Sequence, residues 1–143
     1  AESSDSSVYL ERYGAGVGLY LAARNLSASA VSPTLTLYSA GAGLPASGAF
    51  SVRELIANTR QRVNASGGNL TWTPTLSGAG VALFRFCPLG DVDDTCALDV
   101  VDVQTVASFF GQTVPPAPLA YDFDQDGTVD LDDVMLVATQ WGW

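Results

Sequence analysis

The chain contains no histidine and no lysine, one methionine and only two cysteines. Without histidine there is no Ser-His triad, no imidazole acid or base and no His-ligated zinc. Without lysine there is no amine nucleophile. Positive charge is confined to six arginines (Arg12, Arg24, Arg53, Arg60, Arg62 and Arg85) against fifteen acids, for a net charge of −9. A polyanion is held by a basic surface that displaces its counterions, so no nucleic acid and no anionic membrane is expected as partner. Long apolar runs are missing too. The longest weakly polar stretch, Gly14 to Ala23, is ten residues, half of the ~20 that a membrane-spanning helix needs. No membrane insertion is expected.

What is present is enough for a core: 143 residues, 48 % of them hydrophobic and 15 % charged. A chain of this size buries roughly 70 % of its unfolded surface, so it needs no partner in order to fold. The opening Ala1-Glu2-Ser3-Ser4-Asp5-Ser6-Ser7 reads as a flexible polar leader, without initiator methionine or signal-type apolar stretch, as in a mature exported chain. Charge then divides the sequence in two. Residues 1–86 hold all six arginines and four acids; residues 87–143 hold eleven acids, every one Asp, and no base. Asp is a poor helix former and a compact oxygen donor for hard cations, so the split predicts two modules, 1–86 and 87–143.

The second module is duplicated. Asp91 to Gly111 set against Asp122 to Gly142, an offset of 31, matches at eight of 21 positions, which are the acids of a loop followed by one face of a helix. The second copy fits a twelve-residue calcium loop: Asp122, Asp124 and Asp126 at positions 1, 3 and 5, Gly127 at the turn, the Thr128 carbonyl at 7, Asp130 at 9 and Asp133 at 12. Val129, between them, is expected to face inward. The first copy offers Asp91, Asp93, Asp99 and Asp102 at 1, 3, 9 and 12, the Thr95 hydroxyl at 5 and the Ala97 carbonyl at 7. Cys96 stands where the turn glycine belongs, which predicts a weaker first site.

Cys87 is the evident mate of Cys96, since a thiolate or zinc site lacks its usual neighbours, and closing so short a loop stabilises by ~2 to 3 kcal/mol. After each loop an apolar stripe recurs at helical spacing: Val103, Val106, Ala107 and Phe110, then Val134, Val137, Ala138 and Trp141. Two such stripes are expected to pack together with their aromatics in the core, leaving Phe109 and Trp143 for exposed contacts. Gln112 to Ala120, with three prolines, reads as a stiff extended connector.

Two calcium loops, each followed by a single helix and separated by a proline-bearing linker, resemble the dockerin family. The resemblance covers residues 87–143 and is carried by Gly90-Asp91-Val92-Asp93 and by Asp124-Gln125-Asp126-Gly127-Thr128-Val129-Asp130. It implies a noncatalytic docking module dependent on two calcium ions and of prokaryotic type, with another protein chain as partner. At loop positions 10 and 11 the chain has Val100-Val101 and Leu131-Asp132, where many dockerins carry a Ser-Thr type recognition pair.

The first module reads as strands: Val8 to Arg12, Val17 to Ala23, Leu35 to Tyr38, Phe50 to Leu55, Leu70 to Thr73 and Val81 to Phe86, with Arg53 to Val63 as an alternative short helix. A small immunoglobulin-like β-sandwich is expected, making the whole chain mainly β plus small α. The stretches Asn25 to Tyr38, Leu70 to Pro74 and Gly80 to Phe84 resemble immunoglobulin-like repeats of bacterial surface proteins. Glu2, Asp5, Glu11 and Glu54 form no evident acid and base pair, so no enzyme is expected. Trp72, Tyr9, Tyr13, Tyr20 and Tyr38 either pack the core or stack on a polysaccharide. Asn25, Asn64 and Asn69 lie in glycosylation sequons.

These features together predict a secreted, extracellular or cell-surface structural or adhesive protein that assembles with another chain or with copies of itself, as a filament subunit in one form. The alternative is the carbohydrate-binding and anchoring fragment of a larger exported glycoside hydrolase.

Overall fold

Apolar residues at every second position build the first part of the chain. Leu21 and Ala23, Leu35 and Leu37, Phe50 and Val52, Val63 and Ala65, Leu70 and Trp72, and Phe84 and Phe86 all turn to the inside and are buried. The computed structural model describes all residues from Ala1 to Trp143 and divides them into two units, Ala1–Cys87 and Pro88–Trp143. The strands are β1 (Glu2–Ser3), β2 (Val8–Tyr13), β3 (Tyr20–Asn25), β4 (Leu35–Tyr38), β5 (Gly48–Glu54), β6 (Thr59–Ser66), β7 (Asn69–Trp72) and β8 (Val81–Pro88), with a short helix α1 (Ser39–Ala42).

They hydrogen-bond into one mainly antiparallel sheet of eight strands in the order β1-β4-β7-β6-β5-β8-β3-β2. The strands at the two ends of that order, β1 and β2, are joined through Ser4 to Ser7, so the sheet curls until it is nearly closed. Two separately bonded sheets of a sandwich are therefore not formed. Alternation reports which face of a strand is buried, and a curled sheet buries the same faces as two stacked ones. Pairing alone distinguishes them.

Two open alternatives are decided and one expectation is corrected. Thr59 to Ser66 is a strand, not part of a helix: its polar sequence pairs with β5 from Gly48↔Ala65 to Glu54↔Thr59, and only Val63 and Ala65 supply apolar anchors. Residues 1 to 7 are no loose leader. Glu2 and Ser3 pair with Thr36 and Leu35, and Asp5 accepts the Ser7 N–H at 2.8 Å and the Ser7 hydroxyl at 2.7 Å, bonds that hold its carboxyl below the usual range. Trp72 is only 5 % exposed, set edge-on to Phe84 and Phe86 at 5.5 and 5.3 Å, so it offers no face to a sugar. Strand β2 pairs with β3 along all six of its residues, Val8↔Asn25 to Tyr13↔Tyr20, and Tyr9 and Tyr13 stay exposed.

The second unit has two helices, α2 (Val100–Ala107) and α3 (Leu131–Thr139), and a 3-10 turn at Leu119–Tyr121. Its core is Val106, Ala117, Phe123, Val129 and Val137, so each helix contributes one valine to a shared centre. The aromatic expectation is reversed. Phe110 and Trp141 are 59 % and 54 % exposed, while Phe109 packs on the core and against Tyr121, centroids 5.1 Å apart. The helices stop at Ala107 and Thr139, so helical spacing no longer sets direction at the next aromatic. The proline segment is not an extended connector either. It turns, with cis bonds before Pro115 and Pro116, the Ala117 N–H donating to the Thr113 carbonyl at 3.0 Å, and Ala117 buried.

Candidate metal centres

Each helix of the second unit begins on a loop aspartate. Asp99 and Asp130 are the N-caps of α2 and α3, accepting the N–H of Val101 at 2.7 Å and of Asp132 at 2.9 Å. Reciprocally, Asp102 and Asp133 accept the N–H of Asp99 at 3.0 Å and of Asp130 at 2.8 Å. These are capping boxes with Asp in both roles, each satisfying two N–H groups that a helix start leaves unpaired. The second oxygen of each inner carboxylate reaches back to the start of its loop. Asp102 Oδ1 accepts the Val92 N–H at 2.9 Å and Asp133 Oδ1 the Phe123 N–H. Both carboxylates are fully buried, and this folds each loop onto its own helix.

Position 12 is thereby brought against positions 1 and 3. Carboxylate oxygens of Asp91, Asp93 and Asp102 lie within 4.8 Å of one another, as do those of Asp122, Asp124 and Asp133. Asp124 also forms a second grouping with Asp130 and Asp132. The two loops share a backbone path. Asp94 and Gln125 have φ of 65° and 63°, and Cys96 and Gly127 have φ of 65° and 94°. For glycine that region is open; for cysteine it costs roughly 1 to 2 kcal/mol. Cys96 is held in the disulfide to Cys87 expected from the sequence, and no cysteine is free.

The loops differ at position 1. Asp122 Oδ1 accepts the Asp126 N–H at 3.2 Å and its Oδ2 the Gly127 N–H at 3.0 Å, so both oxygens are satisfied by the chain. Asp91 accepts the Cys96 N–H, but its Oδ1 is buried without any hydrogen-bond partner. Burial pushes the Asp91 carboxyl up to about 6, against the pull of that N–H, with the charge of Asp102 and a side-chain hydrogen bond to Asp93, as well as the Asp93 charge, adding to it. Asp93 is shifted the other way by the hydroxyl and N–H of Thr95, at 2.8 and 3.1 Å.

Apart from Asp130, the remaining expected ligands are in none of these carboxylate groupings. Thr95 is exposed and donates to the Ala97 carbonyl at 3.2 Å. Asp126 Oδ1 accepts the Thr128 N–H at 2.8 Å, and Asp99 is engaged as a cap. The loop 2 backbone is braced by the segment before it: the Val129 N–H donates to Gln112 at 2.9 Å and the Val114 N–H to Gly127 at 2.8 Å. Val129 faces inward and is fully buried. The capping role of the four aspartates was missed in reading the sequence, though the Asp-x-x-Asp spacing before each apolar stripe is its signal.

Three carboxylates whose oxygens lie within 4.8 Å of one another form, in each loop, an oxygen set of the kind that hard divalent cations take. In the first unit, a groove of about 690 Å³ has an apolar floor of Val52, Leu76, Ala82 and Phe84. Glu54 lines it but serves the fold, accepting the N–H groups of Ile56, Ala57 and Leu83. Asn25 is fully buried, its amide donating to the Ser29 and Ser77 carbonyls at 2.8 and 2.9 Å, so its sequon is closed to modification in the folded chain. Comparison with protein-family models, curated proteins and solved structures found no match to this chain.

Proposed function

We propose that this chain is an extracellular, noncatalytic assembly protein in which Pro88–Trp143, a dockerin-like module, binds two calcium ions and docks to another chain or another copy of itself. Asp91, Asp93, Asp99, Asp102, the Thr95 hydroxyl and the Ala97 carbonyl would hold one ion. Asp122, Asp124, Asp126, Asp130, Asp133 and the Thr128 carbonyl would hold the other. Bound calcium neutralises carboxylates that repel one another when the loops are empty.

The observation that carries this reading is the buried Asp91 Oδ1, which has no donor from the chain, on a carboxylate that brings an oxygen within 4.8 Å of oxygens of Asp93 and Asp102. A buried charged oxygen left unpaired is costly, and a cation is the partner its surroundings offer. Docking is supported by a second regularity. Exposed apolar residues recur with the offset of the repeat, Val100 with Leu131 and Phe110 with Trp141, so each copy of the repeat offers a partner the same pair of apolar side chains. No helix is long and apolar enough to cross a membrane, and the disulfide is compatible with an oxidising compartment.

The test is electron microscopy and sedimentation of the full chain in calcium and in chelator. Filaments or defined oligomers that fall apart on chelation support the reading; a monomer in both conditions overturns the docking half of it. Calorimetry without a calcium-binding isotherm overturns the other half.

A further inference from the structure

We propose that Cys96 is a positioning residue for the first cation site, and that its disulfide to Cys87 supplies by covalent restraint what the turn glycine supplies in the second loop. The proposal rests on the calcium reading above and specifies how one of its two sites is held.

Position 6 of each loop makes the turn and aims its backbone N–H at the position 1 carboxylate. In the second loop Gly127 does so at φ 94°, donating to Asp122 Oδ2 at 3.0 Å. In the first loop Cys96 takes φ 65° and donates to Asp91. A residue with a Cβ rarely keeps such a conformation unaided, but Cys96 is buried and bonded through sulfur to Cys87, nine positions earlier in the sequence.

The first loop has less to fall back on than the second. In the second, Asp122 is also gripped by the Asp126 N–H. In the first, the position 5 N–H of Thr95 goes to Asp93 Oδ1 at 3.1 Å, and Asp91 Oδ1 receives none. The Cys96 N–H is therefore the backbone donor that holds Asp91, beside its side-chain bond to Asp93, and it bears on the direction in which the unpartnered oxygen points. If Cys96 relaxes to negative φ, that N–H swings away and Asp91 is free to turn out of the cluster. The bridge has the consequence that an oxygen set lacking both the turn glycine and the position 5 carboxylate remains assembled.

The experiment is a calcium titration of the isotopically labelled full chain, followed through backbone amides of residues 92–98 for the first loop and 123–129 for the second. Three forms are compared: the unmodified chain, Cys87→Ser with Cys96→Ala, and Cys87→Ser with Cys96→Gly. The alanine form is expected to bind calcium in the first loop at least tenfold more weakly, ~1.4 kcal/mol, with the second loop within twofold. The glycine form, which has no bridge but an open turn, is expected to return to within threefold of the unmodified chain. An unchanged first loop in the alanine form, equal weakening of both loops, or a glycine form weakened tenfold overturns the proposal. Should the alanine form fail to fold, the glycine form decides alone by the same limits. Amides of neither loop responding in the unmodified chain would instead overturn the calcium reading itself.

Discussion

Asn25 shows how a single polar residue organises the turns around it. It is fully buried at the end of β3, and its side chain makes three bonds: to the Ser29 carbonyl, to the Ser77 carbonyl, and from the Ser27 N–H at 2.9 Å. It thus joins the loop after β3 to Ser77, 52 residues beyond Asn25 in sequence. A buried carbonyl left without its donor costs about 1 to 3 kcal/mol. Asn25→Ala is therefore expected to lower stability by roughly 3 kcal/mol, read from the midpoint of chemical denaturation, whereas Asn64→Ala, at an exposed position on β6, is expected to change it by less than about 0.5 kcal/mol. Equal midpoints for the two variants would show that the buried amide contributes nothing.

At the scale of elements, the second unit depends on how closely its first loop approaches its last helix. Gly90 precedes the loop, its N–H donating to the buried Gln140 Oε1 at 2.9 Å. A Cβ built on it would stand 3.1 Å from the Val137 Cα, a backbone atom that cannot step aside alone. Gly90→Ala is expected to destabilise the second unit by about 1 to 3 kcal/mol through overpacking, seen as a lowered thermal midpoint in chelator, where no cation compensates. Gly111→Ala has open space around its Cβ position, so its cost is confined to the strain of φ 80°. The Asp-x-x-Asp caps explain why such short helices start where they do. Their four aspartates serve the helix ends and the loops at once.

For the molecule as a whole, two separate cores and an uneven charge distribution predict uneven responses to calcium. All eleven acids of residues 87–143 are Asp, with no base among them, so removal of cations leaves that unit strongly self-repelling. A site at free calcium a hundredfold above its Kd adds ~2.7 kcal/mol to the folded state. Differential scanning calorimetry is expected to show two transitions, with chelator lowering only that of Pro88–Trp143. A thermogram indifferent to calcium would contradict this.

Much of this was legible in the sequence because it depends on neighbours along the chain. The duplicated loops, the partition near residue 87, the Cys87–Cys96 pair and most strands follow from spacing, charge and alternation, which act over a dozen residues or fewer. β6 was missed because its polar face hides the two inward positions until β5 lies beside it. Phe110 and Trp141 were misplaced because the exit path of a helix depends on what it meets after its last turn. The closure of eight strands into one sheet, the burial of Asn25 and the orphaned oxygen of Asp91 were decided only by tertiary structure. Each depends on which distant backbone groups arrive at a given point, and side-chain periodicity carries no record of that.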